Sequence, residues 1–128
     1  MPRRILFVDD NRIVRKLVRT YLETGLKNIV CAEAVDGLDA IQRAREVAPD
    51  VIVLDLCMPK LNGLEAAAVL NGMFPQVPII LFTLHKDIVS EKLARAVGIR
   101  AVVSKTDRIE VLFEEILNFV GVVRAATA

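Results

Sequence analysis

The sequence predicts a doubly wound, five-stranded parallel α/β sheet with helices on both faces. Three observations carry that prediction. Short all-apolar runs, among them Val51 to Leu54 and Val77 to Phe82, suit strands buried on both faces. Between them lie segments whose apolar residues recur every three or four positions, the spacing of a helix packed on one side. The connections are short and regular, as in successive βα units, whose crossovers are right-handed.

The chain has 128 residues, enough for one domain with a proper core and no staples. Its residues are 54% hydrophobic and 26% charged, which is globular rather than disordered. A net charge of +1 provides no bulk field for nucleic acid or an anionic membrane. The two cysteines, Cys31 and Cys57, read as free thiols in a reducing cytoplasm. No apolar run reaches the roughly 18 residues that a membrane span requires. The opening MPRRILFVDD turns acidic too early for a signal peptide. A soluble, cytoplasmic protein is expected.

Ile5 to Val8 is the first strand and runs into Asp9-Asp10-Asn11, with Asn11 a good cap for the next helix. That helix carries Ile13, Val14, Leu17, Val18, Tyr21 and Leu22 at helical spacing and stops at Gly25. Its other face carries Arg12, Arg15, Lys16 and Arg19, either a solvated surface or a docking face. Ile29 to Ala34 is the second strand, turned by Asp36-Gly37 into a helix that ends at Pro49. Val51 to Leu54 is the third strand, ending at Asp55, and a loop with Pro59 and Asn62-Gly63 leads to a helix from Gly63 to Met73. Val77 to Phe82 is the fourth strand and runs into Thr83. Asp87 to Val97 is a helix with Gly98 as its C-cap, Ala101 to Val103 a short fifth strand before Ser104-Lys105. Ile109, Leu112, Phe113, Ile116 and Val120 mark the last helix, on which Leu117, Phe119 and Val122 are either core or an output surface. Residues 1–121 form the domain, and 122–128 a flexible tail or linker stub.

The strand ends carry the chemistry. Asp9 and Asp10, Asp55, Thr83 and Lys105 would converge at the carboxyl edge of the sheet, where open parallel sheets bind ligands. Singly, each is an ordinary turn, cap or surface residue; four strand ends with complementary chemistry point to a site. Three clustered carboxylates repel one another, and an all-oxygen set without histidine favours Mg²⁺. Three negative charges are balanced by Mg²⁺ and Lys105, so the site could take a phosphoryl group on Asp55 with its charge stabilised.

The motifs FVDDN (7 to 11), LDLCMPKLNG (54 to 63), LFTLH (81 to 85) and VSKTD (103 to 107) resemble those of a response-regulator receiver domain of two-component signalling, chemotaxis-regulator-like. The resemblance spans nearly the whole chain. It implies a flavodoxin-like sheet of order 2-1-3-4-5, with Asp55 as phosphoacceptor from a sensor histidine kinase or a histidine phosphotransfer protein. Asp9, Asp10, Asp55 and the backbone carbonyl of Cys57 would hold Mg²⁺, Lys105 would contact the phosphoryl group, and Thr83 would swing towards it. Cys57 and His85 occupy positions that tune hydrolysis of the acyl phosphate. Such a domain is a signalling switch, not an enzyme in its own right. It would alter partner binding, form a homodimer, or drive a DNA-binding output domain if the chain is a fragment.

Three positions depart from the family pattern. Val102 replaces the usual aromatic of the relay, Leu84 a small residue, and Thr106 a proline. Three alternatives stand beside the switch. A small-molecule binder of the same layout would want a glycine-rich phosphate loop where this chain has two aspartates. An aspartyl phosphatase or phosphotransferase would place its nucleophile after the first strand and need a lid. A pseudo-receiver, a phosphorylation-independent binding module, would keep the fold alone.

Overall fold

The computed structural model describes residues 1–121 and residue 125. Five parallel strands, β1 (Arg3–Val8), β2 (Ile29–Ala34), β3 (Val51–Leu54), β4 (Ile79–Thr83) and β5 (Ile99–Ser104), form one sheet of order β2-β1-β3-β4-β5. The helices are α1 (Arg12–Gly25), α2 (Gly37–Val47), α3 (Gly63–Met73), α4 (Glu91–Ala96) and α5 (Ile109–Val120). The predicted fold class and strand order are those observed.

All-apolar strands are explained by the two packed faces, because successive side chains point to opposite sides. Ile5, Phe7, Val51, Val53, Ile80 and Phe82 face a layer with Val18 and Leu22 of α1 and Leu112, Phe113 and Ile116 of α5. Leu6, Val8, Ile52, Leu54, Ile79 and Leu81 face the other layer, where Ala40, Ala44, Ala66, Ala67 and Ala94 supply small helix surfaces. Leu117 and Phe119 are half-buried against the first layer, which places them with the core margin. Val122 lies outside the described residues, as does the predicted tail apart from Ala125, whose N–H donates to the Gly25 carbonyl at 2.9 Å.

The helix starts follow local chemistry. Asn11 Oδ1 accepts from the N–H groups of Ile13 and Val14, Asp36 from that of Asp39, and Asn62 forms a reciprocal box with Glu65. The segment 87–97 departs from the expected single helix. Lys86–Ile88 is one 3₁₀ turn, and α4 begins only at Glu91 because Ser90 caps the Leu93 N–H instead of sitting inside a helix. β4 starts at Ile79 rather than Val77, since Pro78 has no N–H to give to the ladder. β5 is longer than expected and begins directly after Gly98, whose φ is +89°.

On α1 the predicted apolar stripe divides. Val14, Val18 and Leu22 turn inward, whereas Ile13, Leu17 and Tyr21 are 77%, 51% and 46% exposed. Ile13, Leu17 and Tyr21 lie four apart and form an apolar line on the helix surface.

Gly63 sits where the chain returns beneath β3. A Cβ added there would lie 2.3 Å from the Asp55 carbonyl oxygen and 2.9 Å from Leu56 Cα, both backbone atoms. Gly63→Ala should therefore destabilise by about 2–4 kcal/mol, read by urea unfolding. A cost below about 0.5 kcal/mol would show that the loop yields freely.

Candidate functional site

The strand order places the acidic residues together. Val8 pairs with Leu54 in register, so Asp9 and Asp55 leave adjacent central strands at the same level. Asp55 N–H continues the ladder to the Val8 carbonyl at 3.0 Å. β1 and β3 are also where the strand order reverses, the usual ligand crevice of such sheets.

One carboxylate oxygen from each of Asp9, Asp10 and Asp55 lies within 4.8 Å of the others. Asp9 and Asp55 are buried, and Asp10 is exposed at the rim. Lys105, after β5, reaches across the sheet edge. Its Nζ is 2.6 Å from Asp9 Oδ2 and 3.5 Å from Asp55 Oδ1. It also lies 5.9 Å from the centre of the Phe82 ring. Asp9 Oδ1 accepts the Asn11 N–H at 2.9 Å. Burial holds the Asp55 carboxyl above its usual range; Lys105 opposes this, and the Asp9 charge reinforces it. Two buried carboxylates share one ammonium, and that deficit of positive charge, with the all-oxygen donor set, fits a hard divalent cation. These residues line a cleft of about 520 Å³ together with Leu17, Tyr21 and Leu84.

Thr83 ends β4 and is fully buried. Its Oγ1 accepts the His85 N–H at 3.0 Å, and its carbonyl accepts the Lys105 N–H at 2.8 Å. His85 and Cys57 are exposed on the two neighbouring loops. Cys57 is a free thiol, as is Cys31, whose buried thiol is pushed up to about 12 chiefly by desolvation. Val102 is half-buried and, with Lys86, Val89 and Ala94, borders a second cavity of about 280 Å³. Thr106 Oγ1 is 2.7 Å from Ser104 Oγ.

Sequence reasoning placed Arg15 only on a solvated or docking face, and it missed both the contacts of Arg15 beside the site and Glu33 altogether. Arg15 Nη1 donates to the Asp9 carbonyl at 2.9 Å, and Arg15 Nε to Glu33 Oε1 at 3.2 Å. Arg19 meets the other oxygen of Glu33 at 3.0 Å. The basic face of α1 is thus divided: Arg15 and Arg19 are paired with β2, while Arg12 and Lys16 remain on the exposed surface. An acidic residue inside the otherwise apolar strand IVCAEA was the available signal.

Residues 5–117 match the family model of the response regulator receiver domain. The chain belongs to this family. Among curated relatives, the response regulator protein VraR of Staphylococcus saprophyticus is 36% identical over 85 residues, covering 66% of this chain and 41% of that protein. A protein-glutamate methylesterase/protein-glutamine glutaminase of Pyrococcus abyssi is 39% identical over 80 residues, 62% of this chain and 22% of that protein. The stretch of the chain that matches therefore spans only about a fifth to two fifths of these relatives' length. A two-component response regulator of the LuxR family from Aurantimonas superposes with a TM-score of 0.86 at 30% identity, covering 94% of this chain and 86% of that one. The regulator TrrA of Thermotoga maritima, solved in complex with Mg(2+)-BeF, gives a TM-score of 0.83 at 26% identity, over 91% of this chain and 98% of that one. Among the described residues no helix of the receiver domain is long and apolar enough to cross a membrane.

Proposed function

We propose that this receiver domain is a phosphorylatable switch of a two-component system. It accepts a phosphoryl group on Asp55 from a phosphohistidine of a sensor kinase or histidine phosphotransfer protein. One observation carries the reading. The Asp55 carboxylate ends a central strand, clustered with those of Asp9 and Asp10, and Lys105 Nζ stands 3.5 Å away.

An Asp55 carboxylate oxygen attacks phosphorus, a P–O bond forms, and the P–N bond to the donor imidazole breaks. Asp9, Asp10, Asp55 and the Cys57 carbonyl would hold Mg²⁺, which when bound supplies positive charge to the transferring oxygens. Lys105 is close enough to turn from Asp9 towards the phosphoryl oxygens. Thr83 would swing towards the new charge, and a rotation that carries its Oγ1 away from the His85 N–H would free the exposed residues 84–88 to move. With Val102 there is no ring to rotate, so this backbone link is the relay we assign. The output is a shifted equilibrium of partner binding or self-association. The apolar line Ile13, Leu17 and Tyr21, flanked by exposed Arg12 and Lys16 and next to the acidic cleft, is the face we assign to the phosphodonor.

Incubation with acetyl phosphate and Mg²⁺ should add one phosphate to the intact mass, and EDTA should prevent it. Size exclusion of both forms then tests self-association. No added phosphate, together with no binding of beryllofluoride, would favour a phosphorylation-independent binding module.

A further inference from the structure

Arg15 differs from its exposed neighbours Arg12 and Lys16. Its side chain is only 12% exposed, and its guanidinium is engaged at both ends. Nε donates to Glu33 on β2, and Nη1 to the backbone carbonyl of Asp9. Glu33 is itself held, because its second oxygen accepts from Arg19 Nη1 at 3.0 Å. A planar fork between two fixed acceptors is a rigid brace. Here it ties β2 and α1 to the segment that carries Asp9 and Asp10.

We infer that Arg15, braced by Glu33, is a positioning residue that holds the Asp9-Asp10 segment ready for a divalent cation. The inference rests on the metal role proposed above. Before a cation binds, the three clustered carboxylates repel one another. Two of them are consecutive, so rotating the peptide between them is the simplest way to spread the charge. Asn11 and Lys105 hold the Asp9 side chain. Arg15 instead holds the carbonyl of the Asp9-Asp10 peptide, whose plane aims the exposed Asp10.

Titration calorimetry with Mg²⁺ on the full chain tests this. Arg15→Ala should weaken Mg²⁺ affinity about tenfold, the lower end of the loss expected when a group that orients metal ligands is removed. In the acetyl phosphate reaction, the Mg²⁺ concentration for half-maximal rate should rise by the same factor. The rate at saturating Mg²⁺ should stay within about twofold. Arg15→Lys should not restore affinity, since an ammonium cannot span both acceptors. Arg19→Ala removes the other cation from Glu33 but touches nothing in the loop, so its affinity should match wild type within about twofold. Unchanged affinity in Arg15→Ala, or equal weakening in Arg19→Ala, would overturn the inference. If Arg15→Ala does not fold, Glu33→Gln keeps an acceptor for Nε and should weaken Mg²⁺ about two- to threefold. No change there would overturn it too. Wild type that binds no Mg²⁺ would remove the metal role itself, and this inference with it.

Discussion

Asp55→Asn is expected to accept no phosphoryl group, with labelling from acetyl phosphate below about one thousandth of wild type. The amide has no nucleophilic oxygen of comparable strength, and the neighbouring Asp9 carboxylate is already engaged by Lys105 at 2.6 Å. A phosphate retained by the variant would move the acceptor to another residue. The same substitution should stabilise the metal-free protein, by about 1 kcal/mol at neutral pH or about 3–5 °C in Tm. The sign follows from the raised Asp55 pKa, caused first by burial. The folded state holds this proton more tightly than the unfolded chain does. Stability from the group is full below the ordinary carboxylate pKa of about 4 and is lost as pH rises through the raised value. The gap between variant and wild type should therefore open with rising pH and shrink in acid. Added Mg²⁺ should narrow it at pH 7, because the cation offsets the charge that burial penalises. Thermal melts from acid to neutral pH, with and without Mg²⁺, read all three effects. A variant less stable than wild type at pH 7 without metal would contradict this electrostatic account.

Lys105→Ala should act on the same site with the opposite sign for stability. Its ammonium is shared by two buried carboxylates, at 2.6 Å and 3.5 Å. Removing one partner of a buried ion pair leaves charge uncompensated and costs about 3 kcal/mol. Phosphotransfer should fall about a hundredfold or more, the scale of losing one preorganised charge on the transferring oxygens. Mg²⁺ should bind more tightly in this variant, because Lys105 occupies Asp9 Oδ2 and competes for the cluster's negative charge. Calorimetry beside single-turnover labelling separates these effects. Weaker Mg²⁺ binding together with slower transfer would mean that Lys105 organises the site rather than charging it.

The strand-end residues were legible in the sequence because βα architecture ties position to chemistry. An apolar run ending in Asp55 or Thr83 places that residue at the sheet's carboxyl edge whatever packs around it. Helix faces were less legible. Six apolar residues on α1 form an arc too wide for periodicity to show which half meets the sheet. Only packing against α5 and β2 turned Val14, Val18 and Leu22 inward and left Ile13, Leu17 and Tyr21 outside. The α4 segment was misjudged for a local reason: Ser90 competes for a backbone N–H within an otherwise helical stretch.

What the sequence determined by itself was the sheet, its order of elements and the identities of the groups at its edge. These depend on hydrophobic period and on residues adjacent in the chain, such as Asn62 with Glu65 at the start of α3. What the tertiary structure decided was pairing across distance. Lys105 on Asp9 joins residues 96 apart, and Arg15 on Glu33 joins residues 18 apart. No periodicity encodes such contacts. They exist because the parallel crossovers bring separate strand ends within a few ångströms, where burial lowers the local dielectric and each charge must find a partner.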